Sequence, residues 1–150
     1  MLFRSGNNQG TILVFSVDTG EQVGEPLKGH TDFVSCLSFS SDGQYFASGS
    51  YDMAINIWDV DRRKVKISLL KHAQAVTTVN FSPSGTNVVS GSKDRTILVW
   101  DTSMGEMLHE IECEGGVNTV TYSPNELYID RKSTRLNSSH SGESRMPSSA

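Results

Sequence analysis

The chain has 150 residues, of which 36% are hydrophobic, and a formal net charge of −4. A mildly acidic chain has no electrostatic reason to bind a phosphate backbone, so we expect no nucleic-acid partner. No apolar run approaches the length of a membrane span, so no membrane partner is expected either. The two cysteines, Cys36 and Cys113, lack the spacing of a metal site or a disulfide framework. These features favour an intracellular protein, cytoplasmic or nuclear.

The predicted elements are short strands separated by turns, with no amphipathic helix. Residues 1–16 hold a polar turn followed by the strand-like run 11–16. Three later units each begin with a trio of apolar residues: Val34, Leu37 and Phe39; Val76, Val79 and Phe81; Val117, Val120 and Tyr122. Each trio precedes a turn rich in Ser, Pro, Asp, Asn or Gly, residue types that adopt the dihedral angles of a tight reversal.

Two stretches of the chain, 29–59 and 71–101, align without a gap at an offset of 42 residues. Each runs from a histidine through Ser-Gly-Ser-x-Asp to Trp-Asp, and in both the tryptophan follows the histidine by 28 residues. Residues 1–16 and 113–129 are degenerate copies, in which Gln9, Phe15 and Cys113 replace the aspartate, tryptophan and histidine. A period of roughly 40–45 residues with this signature is typical of a propeller blade.

On these residues the chain resembles the WD-repeat β-propellers over residues 1–129. The resemblance implies an all-β fold with about two full four-stranded blades and two partial ones, a part of an incomplete ring. It also implies that four residues in each blade form a hydrogen-bonded tetrad. The matching residues are His30, Ser48, Asp52 and Trp58 in one blade, and His72, Ser90, Asp94 and Trp100 in the next.

The same residue types allow two other interpretations, a hydrolase triad and a metal site. A nucleophilic serine must be exposed and must pass its proton to the histidine, whereas Ser48 and Ser90 are expected inside strands, beside tryptophans. A buried indole needs an acceptor for its N–H, and a serine hydroxyl can accept that bond and donate another. His30 and His72 lack ligand-spaced cysteines or carboxylates. We therefore predict structural tetrads, no enzyme activity, no metal and no cofactor.

With catalysis disfavoured, function is expected on the exposed loops of the ring. In the family, partners often dock on the face where the loops leading into the innermost strands emerge. By that resemblance the candidate partner-binding residues are Phe33, Ser35, Tyr51, Ala75, Thr77, Lys93 and Asn118, with Gly116 beside the last. Phe33 and Tyr51 should lie close together and would make good interface anchors. The alternative is that each covers only its own blade.

The predicted function is a non-catalytic scaffold that binds other proteins or peptides and has no small-molecule substrate. The repeats weakly resemble those of fungal nucleotide-dependent signalling proteins. An alternative is therefore a regulatory propeller arm of a multidomain enzyme or NTPase whose catalytic domain lies outside this segment. The basic cluster Arg62, Arg63, Lys64 and Lys66 is interpreted as a solvated edge strand.

Residues 130–150 differ in character from the rest of the chain. They are rich in Ser and Arg, a composition typical of a disordered tail. The strings DRKSTRLNSSH and SRMPSSA also resemble the conceptual translation of a short-read sequencing adapter. We therefore interpret 130–150 as a non-native tail and give no weight to its formal glycosylation, basic and histidine motifs.

Overall fold

The structure, a computed structural model, describes residues 2–5 and 10–133. Within those ranges the regular secondary structure is entirely β. The strands are β1 (Leu2–Ser5), β2 (Thr11–Phe15), β3 (Leu27–Lys28), β4 (Val34–Phe39), β5 (Tyr45–Ser50), β6 (Ala54–Asp59), β7 (Lys64–Leu70), β8 (Val76–Phe81), β9 (Asn87–Ser92), β10 (Thr96–Asp101), β11 (Met107–Glu112), β12 (Val117–Tyr122) and β13 (Ile129–Ser133).

The strands form two complete blades and two partial ones. The complete blades have the orders β4-β5-β6-β7 and β8-β9-β10-β11, while β1-β2-β3 and β12-β13 form smaller sheets at either end. All neighbours pair antiparallel, and β4, β8 and β12 are the strands through which successive blades meet. The prediction of an all-β partial propeller is confirmed.

The two complete blades repeat each other down to their irregularities. The innermost pair of each has a register shift, between Val34 and Cys36 in one blade and between Val76 and Thr78 in the next. These sites are 42 residues apart, which is the offset of the sequence repeat. A bulge re-aims side chains and increases local twist, so equal bulges give the two blades the same shape.

Hydrophobic cores fill the spaces between successive blades. One lies between the first two sheets around Phe46 and Trp58, the next surrounds Val76 and Trp100, and the third surrounds Val117. Each core takes residues from two sheets, because the middle strands β5, β6, β9 and β10 are buried on both faces. A blade therefore depends on its neighbours for burial, which is the physical basis of stability in a repeat fold.

Close approach of the blades requires glycine at the centre of each Ser-Gly-Ser. A Cβ on Gly49 would lie 2.6 Å from Cγ1 of Val76 in the next blade, and one on Gly91 would lie 2.5 Å from Cγ1 of Val117. Hydroxyl groups bridge the same gaps: Ser35 donates to the carbonyl of Val76, and Thr77 donates to the carbonyl of Val117.

The last strand, β13, includes the first residues of the segment interpreted above as a tail. β13 extends to Ser133 and pairs with β12, so residues 130–133 supply partners for backbone groups that β12 would otherwise leave at an open edge. Residues 134–150 and Gln9 lie outside the described residues. The interpretation of 130–150 as a non-native tail stays a prediction.

Candidate functional site

The first predicted tetrad is a continuous hydrogen-bonded chain. The indole Nε1 of Trp58 donates to Ser48 Oγ at 2.8 Å, and Ser48 Oγ lies 2.6 Å from His30 Nε2. On the other side of the imidazole, His30 Nδ1 lies 2.9 Å from Oδ2 of Asp52. A carboxylate can only accept, so Nδ1 carries the proton and Nε2 accepts from the serine hydroxyl. Each donor in the relay thus has one acceptor.

The second tetrad repeats this geometry. Trp100 Nε1 donates to Ser90 Oγ at 3.0 Å, Ser90 Oγ lies 2.8 Å from His72 Nε2, and His72 Nδ1 lies 2.9 Å from Asp94 Oδ2. The relay ties the loop that carries the histidine to the middle strands of its blade. A fully satisfied network of this kind specifies one register of the strands.

Burial of the serines separates these networks from a hydrolase triad. Ser48 and Ser90 are both 0% exposed, and each hydroxyl already contacts an indole and an imidazole. A nucleophilic hydroxyl must reach a substrate carbonyl next to a group that stabilises the oxyanion. Both serine hydroxyls are therefore occupied by hydrogen bonds, at positions where a substrate carbonyl cannot reach them.

Each tetrad aspartate also organises a tight turn. Asp52 accepts from the backbone N–H of Thr31 at 3.0 Å and of Ala54 at 2.9 Å, in addition to the histidine. Burial acts to raise the pKa of Asp52, but these hydrogen bonds outweigh it and the pKa is lowered. In the next blade the same balance, helped by Thr96, lowers the pKa of Asp94 to about 2. Both carboxylates are therefore ionised at neutral pH.

Thr96 is a member of the network that the repeat signature does not include. Its hydroxyl donates to Asp94 Oδ1 at 2.5 Å and lies 3.1 Å from His72 Nδ1. The equivalent position in the preceding blade is Ala54, which has no hydroxyl. This difference between the two aligned repeats is the feature of the sequence that could have indicated a role for Thr96.

Ala54→Thr should stabilise the first blade, because the new hydroxyl can bond Asp52 as Thr96 bonds Asp94. We expect a gain of about 0.5–1.5 kcal/mol in the free energy of unfolding, measured by urea titration. The matched change, Thr96→Ala, should cost a similar amount in the second blade. Loss of stability in Ala54→Thr would show that the two turns are not equivalent.

Stability should also fall in two steps as the solution is acidified. Burial lowers the pKa of His72 below its ordinary 6.5, so below that pH the unfolded chain takes up a proton that the folded chain does not. The Asp94 contribution is present above its ordinary pKa of 3.8 and disappears as the pH falls through the folded value of about 2. Thermal melts between about pH 8 and pH 2 should show both steps. His72→Gln should flatten the upper step, because it removes the buried imidazole.

The candidate partner-binding residues separate into two groups. Phe33 and Tyr51 form an edge-to-face aromatic pair with ring centroids 5.6 Å apart, and Lys93 Nζ of the next blade lies 4.8 Å from the Tyr51 centroid. Phe33 is 37% exposed and Tyr51 is 42% exposed. We call these three residues the aromatic patch. Asn118, in the following partial blade, is exposed as well.

The other candidates are less exposed than Phe33 and Tyr51. Ser35 and Thr77 are half-buried, and their hydroxyls form the bridges between blades described above. Ala75 is half-buried, and its carbonyl accepts from the backbone N–H of Lys93. Gly116 is also half-buried. The part of these four residues in partner binding stays a prediction.

The described ranges, 2–5 and 10–133, contain no group of three His, Cys, Asp or Glu side chains that could hold a metal ion. Within that same part of the chain, no helix has the length and apolar character needed to cross a membrane.

The blades and their tetrads define the class of protein. The family model described as "WD domain, G-beta repeat" matches residues 20–59 and 63–101, which together make up just over half of the chain. The chain therefore belongs to the WD-repeat family. This membership supports a general role as a protein-interaction scaffold.

Several named proteins are similar to parts of the chain. It is 40% identical over 58 residues to the intraflagellar transport protein 122 homolog of Xenopus tropicalis, covering 39% of this chain and 4% of that protein. It is 48% identical over 52 residues to the periodic tryptophan protein 2 homolog of Schizosaccharomyces pombe, covering 35% and 6%. It is 39% identical over 66 residues to the small ribosomal subunit protein RACK1 of Caenorhabditis elegans, covering 39% and 20%. The chain thus spans a small part of each relative.

Proposed function

We propose that this chain is part of a non-catalytic scaffold whose ring face binds a protein partner at the aromatic patch, Phe33, Tyr51 and Lys93. The observation that carries the proposal is the position of these exposed side chains across two successive blades. The two tetrads serve as braces that hold the loops of each blade in place. No residue of the tetrads has a catalytic role in this proposal.

The patch has the physical character of an interface anchor. Two aromatic rings in edge-to-face contact present a rigid apolar surface with little side-chain entropy left to lose on binding. Lys93 adds a cation at its rim. Below it, the bridge from Ser35 to the carbonyl of Val76 fixes the first blade against the second. The patch is therefore preorganised by the same contacts that hold the blades together.

This combination favours one kind of partner, a peptide segment with an apolar or aromatic side chain close to a carboxylate. The apolar group would pack on Phe33 and Tyr51. The carboxylate would pair with Lys93, whose ammonium group is already held near the rings. Buried aromatic and charged anchors of this type carry a large share of the binding energy at protein interfaces.

To test the proposal, peptides that bind the chain are selected from a displayed peptide library, and the affinity of each selected peptide is measured by titration. Tyr51→Ala should weaken binding of the selected peptides at least about tenfold, because the anchor surface is lost. Leu127→Ala removes an equally exposed apolar side chain elsewhere, at 45% exposure, and should leave the affinity unchanged. Peptides that bind Tyr51→Ala as tightly as the unmodified chain would refute a site at the patch.

More specific statements about the type of protein and its cellular location remain predictions. A fungal signalling protein and a regulatory arm of an enzyme or NTPase find no support in the relatives, each of which this chain matches over 4–20% of its length. An intracellular location, cytoplasmic or nuclear, is part of the proposal and is supported by two free cysteines, Cys36 and Cys113.

A further inference from the structure

The outermost strands of the two complete blades expose different side chains. Within the part of the chain that the structure describes, β7 and β11 each pair with another strand on one side only. Val65 on β7 lies opposite Trp58, and Met107 on β11 lies opposite Trp100. The two strands can therefore be compared level by level.

Lysines protect the edge of β7, and β11 has none. Lys64 and Lys66 are exposed on β7, and lysines on an edge strand discourage pairing with other strands. The same two levels of the next blade hold Glu106, just before β11, and Leu108. Leu108 is 44% exposed, so an apolar side chain stands where β7 has a lysine.

Two methionines extend this apolar surface. Met107 on the strand is 38% exposed, and Met104 in the preceding turn is 71% exposed. Methionine side chains adapt to varied shapes and are common at binding surfaces. Exposed apolar side chains on an open strand edge favour the docking of another segment.

The rest of β11 is acidic. Glu110 and Glu112 are exposed, and residues 96–129 contain no lysine or arginine. Lys71 Nζ lies 4.0 Å from Glu110 Oε2, but the two side chains are 50% and 40% exposed, and an ion pair of this kind is weak. The glutamates therefore attract a segment of positive charge.

A cavity lies at the end of β11. It has a volume of about 230 Å³ and is lined by Asp94, Arg95, Thr96, Glu112 and Cys113. The pKa of Asp94 is lowered to about 2, so its carboxylate is ionised at neutral pH, and Glu112 adds a second carboxylate. Carboxylates bind the ammonium group of lysine and the guanidinium group of arginine. Arg95 is the one basic residue among the five that line the cavity.

We propose that β11 is a docking edge for an extended, basic segment of a partner protein. The segment pairs with the outward backbone groups of residues 109–112, where the ladder to β10 is regular. Its apolar side chains contact Met107 and Leu108. Its cationic side chains face Glu110 and Glu112, and one of them enters the cavity. This surface shares no residue with the aromatic patch and does not depend on the function proposed above.

Fluorescence anisotropy of a labelled peptide, measured with the full chain, tests the proposal. The probe has about ten residues that alternate lysine and valine, a length and a pattern suited to one added strand. In about 100 mM salt the unmodified chain should bind the probe, and E110K/E112K should weaken binding at least about tenfold. E21K/E25K changes the net charge by the same amount at exposed residues outside β11, and its affinity should stay within about twofold.

Three further comparisons separate the parts of the surface. Leu108→Ala should weaken binding at least about fivefold, whereas Leu127→Ala, at similar exposure, should not. Arg95→Gln should strengthen binding, because it removes a cation from the cavity. A probe N-methylated at every residue keeps its charge but has no backbone N–H donors, so it should bind at least about tenfold more weakly.

Losses confined to the β11 variants and to the methylated probe support the proposal. A probe that does not bind the unmodified chain, or that E110K/E112K and E21K/E25K weaken equally, overturns it. Equal binding of the methylated probe, unchanged affinity in Leu108→Ala or weaker binding in Arg95→Gln also overturns it.

Discussion

Replacement of Ser48 by alanine should lower the free energy of unfolding by about 2–4 kcal/mol. The change leaves the indole N–H of Trp58 and Nε2 of His30 without partners in a site that water does not reach. Each unsatisfied buried group costs about 1–3 kcal/mol. Urea denaturation followed by tryptophan fluorescence measures the loss, which is a large part of the roughly 5–15 kcal/mol typical of a domain.

Two further serines show whether the loss comes from the tetrad. Ser90→Ala removes the equivalent hydroxyl from the next blade and should cost about the same as Ser48→Ala. Ser68 is exposed on an outer strand, and its hydroxyl donates to Asn56 Oδ1 at 2.8 Å. Because water can take the place of this exposed hydroxyl, Ser68→Ala should cost less than about 1 kcal/mol. Equal losses for Ser48→Ala and Ser68→Ala would show that the tetrad hydroxyl has no special role.

Gly49→Ala should destabilise the chain by about 3 kcal/mol without removing any contact. The added methyl group would lie 2.6 Å from both Cys36 Sγ and Val76 Cγ1, well inside van der Waals distance, so the blades must separate or repack. Overpacking a tight core costs about 1–3 kcal/mol, and this contact is at the severe end. Thermal melting measured by circular dichroism should show the loss.

A second substitution tests the origin of that strain. Val76→Ala removes the Cγ1 atom, so in the Gly49→Ala background it should cost less than it does alone, a coupling that a double-mutant cycle measures. A Cβ on Gly43 would have nothing within 4 Å, and the φ of this residue is +73°. Gly43→Ala therefore tests backbone strain alone, about 1–2 kcal/mol. Additive effects of Gly49→Ala and Val76→Ala would contradict close packing of the blades.

Features that recur within the repeat could be predicted from the sequence. The equal spacing of histidine, serine, aspartate and tryptophan in 29–59 and 71–101 indicated both the blades and the four residues that the structure brings together in each. The blade architecture can be inferred from such a pattern because each copy of the repeat packs against equivalent residues of the adjacent copies. The proximity of Phe33 to Tyr51 follows for a related reason, since both lie on loops of one blade.

Contacts between blades could not be predicted in the same way. Ser35 and Thr77 were predicted on the binding face, and that stays a prediction; the hydrogen bonds from their hydroxyls to the backbone of the next blade were not predicted. Lys93 lies over Tyr51 because the turn of one blade meets the loop of another, a relation that spacing within a repeat does not specify. The role of Thr96 could be recognised only from the position of its hydroxyl relative to Asp94. Each case depends on three-dimensional approach between segments.

Hydrogen exchange at the tryptophan indoles tests most directly whether the tetrads are closed structural networks. The chain has two tryptophans, so a nitrogen–proton correlation spectrum contains two indole signals. Both N–H groups donate to buried serines, so both signals should persist in D₂O far longer than that of a free indole. Ser48→Ala should shift and deprotect the Trp58 signal while sparing Trp100. Rapid exchange of both indoles in the unmodified chain would contradict closed networks.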